Sequence, residues 1–192
     1  MAVVESVRGP VELGSLGQTL MHEHVFVLST EHVQNYGSSW WDEEARVADA
    51  IAKLNALYAK GIHTIVDPTV WGLGRYIPRI QRIAAATPVN IIVATGLYVY
   101  EELPQQYAYR GPGLMIDIPD PMITDFSRDI TEGIGHTGVK AAFLKCCMAH
   151  LHRGGCRPGQ GHNRARGRQQ RPGLPHRACR RRSRTRDGPF RS

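Results

Sequence analysis

Residues 42–68, DEEARVADAIAKLNALYAKGIHTIVDP, read as a helix followed directly by a buried strand. Asp42 is placed to cap the helix, and Glu43 and Glu44 suit the positive end of its dipole. Val47, Ile51, Leu54 and Tyr58 recur at helical spacing, and Gly61 after Lys60 is a stop signal. The run Ile62-His63-Thr64-Ile65-Val66-Asp67 is then short and mostly apolar, and Pro68 ends it. One helix feeding one buried strand is half of a β-α-β repeat, and the sequence on both sides extends the pattern.

Upstream, residues 3–13 read as a hairpin turning at Arg8-Gly9-Pro10, and residues 18–25 as the first long strand. A polar, aromatic connection is expected over 29–41. Downstream, 76–86 is a helical segment with Ile80 and Ile83 inward and Arg79 and Arg82 outward. Residues 89–95 are strongly β-branched and form the expected third strand. Gly96-Leu97-Tyr98 leads into a long loop reaching about residue 121, then a helix over 123–134 and a fourth strand over 138–145. This β-α-β-α-β-α-β order is α/β and implies parallel strands with right-handed helical crossovers. An open doubly wound sheet and a (β/α) barrel both fit, and both gather active groups beyond the carboxyl ends of the strands.

His22, His24, Asp67, Tyr98 and Lys145 all fall near such ends. In an extended strand His22 and His24 share a face and are spaced to share one ion, although two ordinary strand-end histidines read the same way. A lysine closing an apolar strand needs a partner, because an isolated buried ammonium is costly. For Lys145 that partner is a carboxylate such as Asp67, or else the amine is carbamylated by carbon dioxide into a metal-bridging group. Asp67, before Pro68, reads equally as a turn residue.

Charge divides the chain sharply. Residues 1–147 hold 11 basic and 16 acidic side chains, a formal −5, whereas residues 148–192 hold 13 arginines and one aspartate, a formal +12. The basic balance therefore belongs to the last quarter, and the whole protein does not read as a nucleic-acid binder. There is no basic start followed by an apolar run, no apolar segment near the roughly 20 residues of a membrane span, and no secreted disulfide framework among four cysteines. A soluble cytoplasmic protein is the expectation.

The segments TLMHEHVFVLSTEHVQNY, RVADAIAKLNALYAKGIHTIVDPTVWGLGRYIPRIQRIAAAT, NIIVATGLYVY and TGVKAAFLKC resemble the phosphotriesterase-like lactonases and phosphotriesterase homology proteins of the amidohydrolase superfamily. The resemblance implies a TIM-type (β/α)8 barrel, of which residues 1–146 would be the N-terminal half, about four βα units. It implies a centre of two divalent metal ions, zinc foremost, with His22 and His24 as ligands and Lys145, carboxylated, bridging the ions. Tyr98, with Tyr100 a weaker candidate, would line the substrate. The implied chemistry is hydrolysis of lactones, with organophosphate esters as a side activity, by a hydroxide held between the ions. The partner would be a small-molecule substrate, with neither membrane nor nucleic acid, and the family is often homodimeric.

Residues 147–192 depart from that pattern. The family carries two further histidines and an aspartate on later strands, whereas here follows an Arg/Gly/Pro-rich tail without Val, Ile, Tyr, Trp or Lys. Its composition is that of GC-rich DNA read out of frame, so a frameshift near Cys147, a disordered tail and an inactive truncated chain are expected. The alternative is a non-enzymatic half-barrel with a basic nucleic-acid-binding tail, or a zinc-binding one built on Cys147-x-x-His150 and His176-x-x-Cys179.

Overall fold

The computed structural model describes residues 2–99 and 103–148. Tyr100 and most of the arginine-rich tail lie outside the described residues.

The chain opens with an antiparallel hairpin, β1 (Val3–Ser6) and β2 (Gly9–Glu12). Its turn docks on the main sheet: Val7 N–H donates to the Ile91 carbonyl at 2.8 Å. Arg8 donates to the carbonyls of Ala84, Thr87 and Pro88 and to Asn90 Oδ1. One side chain thereby caps the end of a helix and the start of a strand together.

The main sheet has four strands, β3 (Gln18–Leu20), β4 (Ile62–Asp67), β5 (Asn90–Val99) and β6 (Phe143–Met148). They lie side by side in chain order, and every neighbouring pair is parallel. A doubly wound sheet reverses its strand order at a switch point. The unreversed order here is that of an arc of a (β/α) barrel, so the fold is α/β with about half a barrel present.

Between the strands run α1 (Thr30–Tyr36), α2 (Glu43–Ala59), α3 (Ile77–Ala85), α4 (Gln105–Ala108) and α5 (Pro121–Thr131). Asp42 caps α2 as expected, its Oδ1 accepting from Ala45 N–H at 3.0 Å. Gly61 stops that helix at φ +90°, a conformation that other residues resist. Val47, Ala50 and Leu54 of α2 and Ile77, Ile80 and Ile83 of α3 are buried against Ile65, Ile91 and Val93. Tyr58 is instead exposed, resting edge-on against His63.

Several expectations need correction. The first long strand stops at Leu20 rather than Val25, because Val25 N–H turns to the buried Asp67 carboxylate instead of a strand carbonyl. The connection over 29–41 contains α1, capped by Ser29 Oγ accepting from His32 N–H. Arg79 does not face outward. It is buried, donates twice to Glu43 Oε2 (3.0 and 2.7 Å), and lies 5.2–5.6 Å from the ring centres of Phe26, Trp41 and Tyr76. A buried guanidinium is tolerable only when so paired.

Strand β5 runs on to Val99, so Tyr98 lies inside it, and β6 is displaced to 143–148, so Lys145 is an internal strand residue. Before β6 the chain is diverted, Ala141 N–H bonding the Asp129 carbonyl, and pairing with β5 begins where Ala142 N–H reaches the Val93 carbonyl.

Candidate metal site at the carboxyl ends of the strands

His22 and His24 leave the end of β3 in irregular backbone, not in the extended strand expected of them. They nevertheless converge, because Glu23 N–H holds the Val66 carbonyl (3.0 Å) and keeps the segment alongside β4. The two Nε2 atoms stand 3.2 Å apart, with the rings edge to face. Two ligands of a tetrahedral zinc, each about 2.0–2.1 Å from it, stand about 3.3 Å apart. The imidazole pair therefore fits one shared ion.

Behind His24 lies a buried polar chain. Its Nδ1 is 2.7 Å from Thr69 Oγ1, which in turn contacts Asp67 Oδ1. Asp67 ends β4 with its side chain 2% exposed, and accepts from Thr69 N–H at 3.0 Å and from Val25 N–H at 3.4 Å. Asp67 is thus the turn residue that its position before Pro68 suggested. The sequence reading does not include Thr69 or this chain of contacts; the available signal is the Asp67-Pro68-Thr69 segment, whose two polar side chains both approach His24. A small cavity beside Asp67 and Thr69 is lined by Phe26, Arg75, Tyr76 and Val93.

Lys145 is not paired with Asp67; its Nζ sits over the Tyr98 ring, 5.4 Å from the centroid. Register explains the meeting, since Gly96 pairs with Lys145 and Tyr98 with Cys147 across β5 and β6. Gly96 adopts φ +126°, and a Cβ there would collide with the Lys145 carbonyl. Two pairs are therefore assembled, His22 with His24 and Lys145 with Tyr98. Among the described residues no third His, Cys, Asp or Glu joins the imidazoles in a metal-sized cluster.

Charges around the site are locked. Arg75 Nη2 meets Asp129 Oδ2 at 2.9 Å, and Thr95 Oγ1 donates to the same oxygen at 2.6 Å. The hydrogen bond from Arg79 holds the Glu43 carboxyl below the usual range, against a smaller opposing effect of burial. Burial, with Asp125 beside it, pushes the Tyr107 phenol well above its ordinary value. No helix among the described residues is long and apolar enough to cross a membrane.

Comparison with known proteins bears on the family and the fold. A family model described as "Phosphotriesterase family" matches residues 2–157. The chain is 56% identical over 146 residues to the "Phosphotriesterase homology protein" of Mycobacterium tuberculosis, covering 76% of this chain and 45% of that protein. It is 36% identical over 135 residues to the "Aryldialkylphosphatase" of Saccharolobus solfataricus, covering 70% and 40%. A solved structure, that of the phosphotriesterase from Mycobacterium tuberculosis, superimposes with a TM-score of 0.72 at 56% identity, over 76% of this chain and 45% of that one. The chain thus spans about half the length of the curated relatives it matches.

Proposed function

The chain belongs to the phosphotriesterase family, and from that premise we propose that its folded part carries the first metal-holding half of an ester hydrolase. The reading rests on one observation above all, the two imidazole Nε2 atoms 3.2 Å apart at the carboxyl end of a parallel sheet. His22 and His24 would hold a divalent ion, zinc foremost. Lys145, carboxylated by carbon dioxide, would bring a negative charge to a second ion. Bound metal supplies Lewis-acid polarisation of the ester and a nucleophile at neutral pH. Tyr98 would form a wall of the substrate site. Its ring face already attracts the Lys145 ammonium, and that attraction ends when the amine becomes a carbamate.

Lactones are the proposed substrates and organophosphate esters a secondary class, with the cytoplasm as the site of action, where an exposed free Cys146 stays reduced. Among the described residues no third ligand joins the two imidazoles, which alone make a weak site, so we propose that this chain by itself turns substrate over negligibly.

Zinc titration of the full chain against a chelating dye tests the reading. Binding is expected in the unaltered chain, reduced by His22→Ala or His24→Ala. The portion that depends on added bicarbonate is expected to vanish in Lys145→Ala. Equal binding by all four proteins refutes the site, and rapid zinc-dependent lactone hydrolysis by the unaltered chain refutes the proposed inactivity.

A further inference from the structure

We infer that Thr69, oriented by Asp67, is a positioning residue that holds the His24 proton on Nδ1 and so presents a bare Nε2 lone pair beside His22. This deepens the metal reading above and rests on it for its purpose. The proton assignments themselves follow from hydrogen-bond chemistry alone.

Thr69 has one hydroxyl proton and three polar neighbours within reach of it. Oγ1 contacts Asp67 Oδ1 most closely, His24 Nδ1 at 2.7 Å and the Phe26 carbonyl at 3.4 Å. A carboxylate only accepts, so the Thr69–Asp67 contact must be donated by the hydroxyl. Asp67 is held in that acceptor role from outside, because the backbone N–H groups of Thr69 and Val25 point at its two oxygens. With its only proton so used, Thr69 Oγ1 meets His24 as an acceptor, and the contact must be donated by Nδ1–H. The second Asp67 contact acts in the same direction, since Oδ1 lies 3.7 Å from Nδ1 and favours a proton there.

One step further out, His24 Nε2 then carries no proton when the ring is neutral. The 3.2 Å Nε2–Nε2 contact is therefore donated by His22, and the two imidazoles are not equivalent. His24 is ready to coordinate as it stands, whereas His22 must first move its proton to Nδ1. Metal-ligating histidines generally depend on such a partner on the far nitrogen, whose loss costs about 10- to 100-fold in metal affinity.

The test uses the full chain with ¹⁵N-labelled histidine at pH 8, where an ordinary imidazole is neutral. Long-range ¹H–¹⁵N correlation spectra of the metal-free protein read the tautomer of each ring. His24 is expected as the Nδ1–H form in the unaltered chain and in Thr69→Ser. In Thr69→Val, which keeps the shape and removes the hydroxyl, the proton is expected to move to Nε2. An unchanged His63 ring, on β4 but away from the site, reports that the variant has folded. A His24 proton on Nε2 in the unaltered chain, or no tautomer change in a folded Thr69→Val, overturns the inference. Zinc alone is then titrated: Thr69→Val should bind about 10- to 100-fold more weakly and Thr69→Ser nearly as well as the unaltered chain. Tautomers as expected with no zinc bound by any protein would leave the relay standing and remove the metal reading. Equal zinc affinity in Thr69→Val would overturn the positioning role.

Discussion

Arg79 offers the sharpest quantitative prediction. Its side chain is 8% exposed and that of Glu43 32%, so the pair is buried on one side and wetted on the other. Removing one member of a fully buried pair costs about 3–5 kcal/mol. Partial hydration of Glu43 lowers this to about 2–3 kcal/mol for Glu43→Ala, since the stranded guanidinium keeps only aromatic neighbours. Arg79→Met refills the space between Phe26, Trp41 and Tyr76 with an apolar chain and leaves Glu43 free to face water, at about 1–2 kcal/mol.

The double variant should then cost little more than Arg79→Met, a coupling of about 2–3 kcal/mol in a urea-unfolding cycle. The Glu43 pKa is depressed when folded, so its contribution is complete above the ordinary carboxylate range and is lost as pH falls through the depressed value. The stability gap between the unaltered chain and Glu43→Gln should accordingly close on acidification. Additive costs with no closing of the gap would mean that the box of rings and charges is a set of unrelated contacts. Phe26 sits in the loop that follows His24 and Trp41 just before α2, so loosening the box should also broaden the His22 and His24 ring signals.

Two further outcomes follow from side chains already placed. Asp129→Asn should destabilise by about 3–5 kcal/mol in the same urea assay, because Arg75 and Asp129 are each 9% exposed and the change strands a buried guanidinium; a cost below about 1 kcal/mol would show the pair to be hydrated. Gly96→Ala should cost at least about 2 kcal/mol and separate β5 from β6, since φ +126° and the nearby Lys145 carbonyl both resist a Cβ; unfolding at an unchanged urea concentration would refute the close approach.

Much of this was legible in the residues because local signals and tertiary demands coincide. Asp42, Gly61 and the run 62–67 gave α2 and β4 with correct ends, since cap, stop and breaker all act within a few residues. The His22–His24 pairing was also legible, though not for the reason of strand alternation: the backbone leaves β3 first, and the rings meet through contacts made by Glu23 and Thr69. Arg79 could not be placed from its helix alone, because its partners come from the start of α2 and the loop before it. The same holds for Lys145, whose meeting with Tyr98 depends on a register fixed by Gly96 and on a strand beginning five residues later than periodicity suggested. Tyr100 falls outside the described residues and gains nothing from the geometry.

The grip of Arg8 bears on how the chain is made. Its acceptors lie 76 to 82 positions further along, so the β1–β2 hairpin can close on itself but cannot dock on the sheet until those residues have been made. Long-range closures of this kind are slow relative to helix formation. Early synthesis should therefore leave the opening hairpin undocked, and its docking should be the late, latch-like event that seals the floor of the arc.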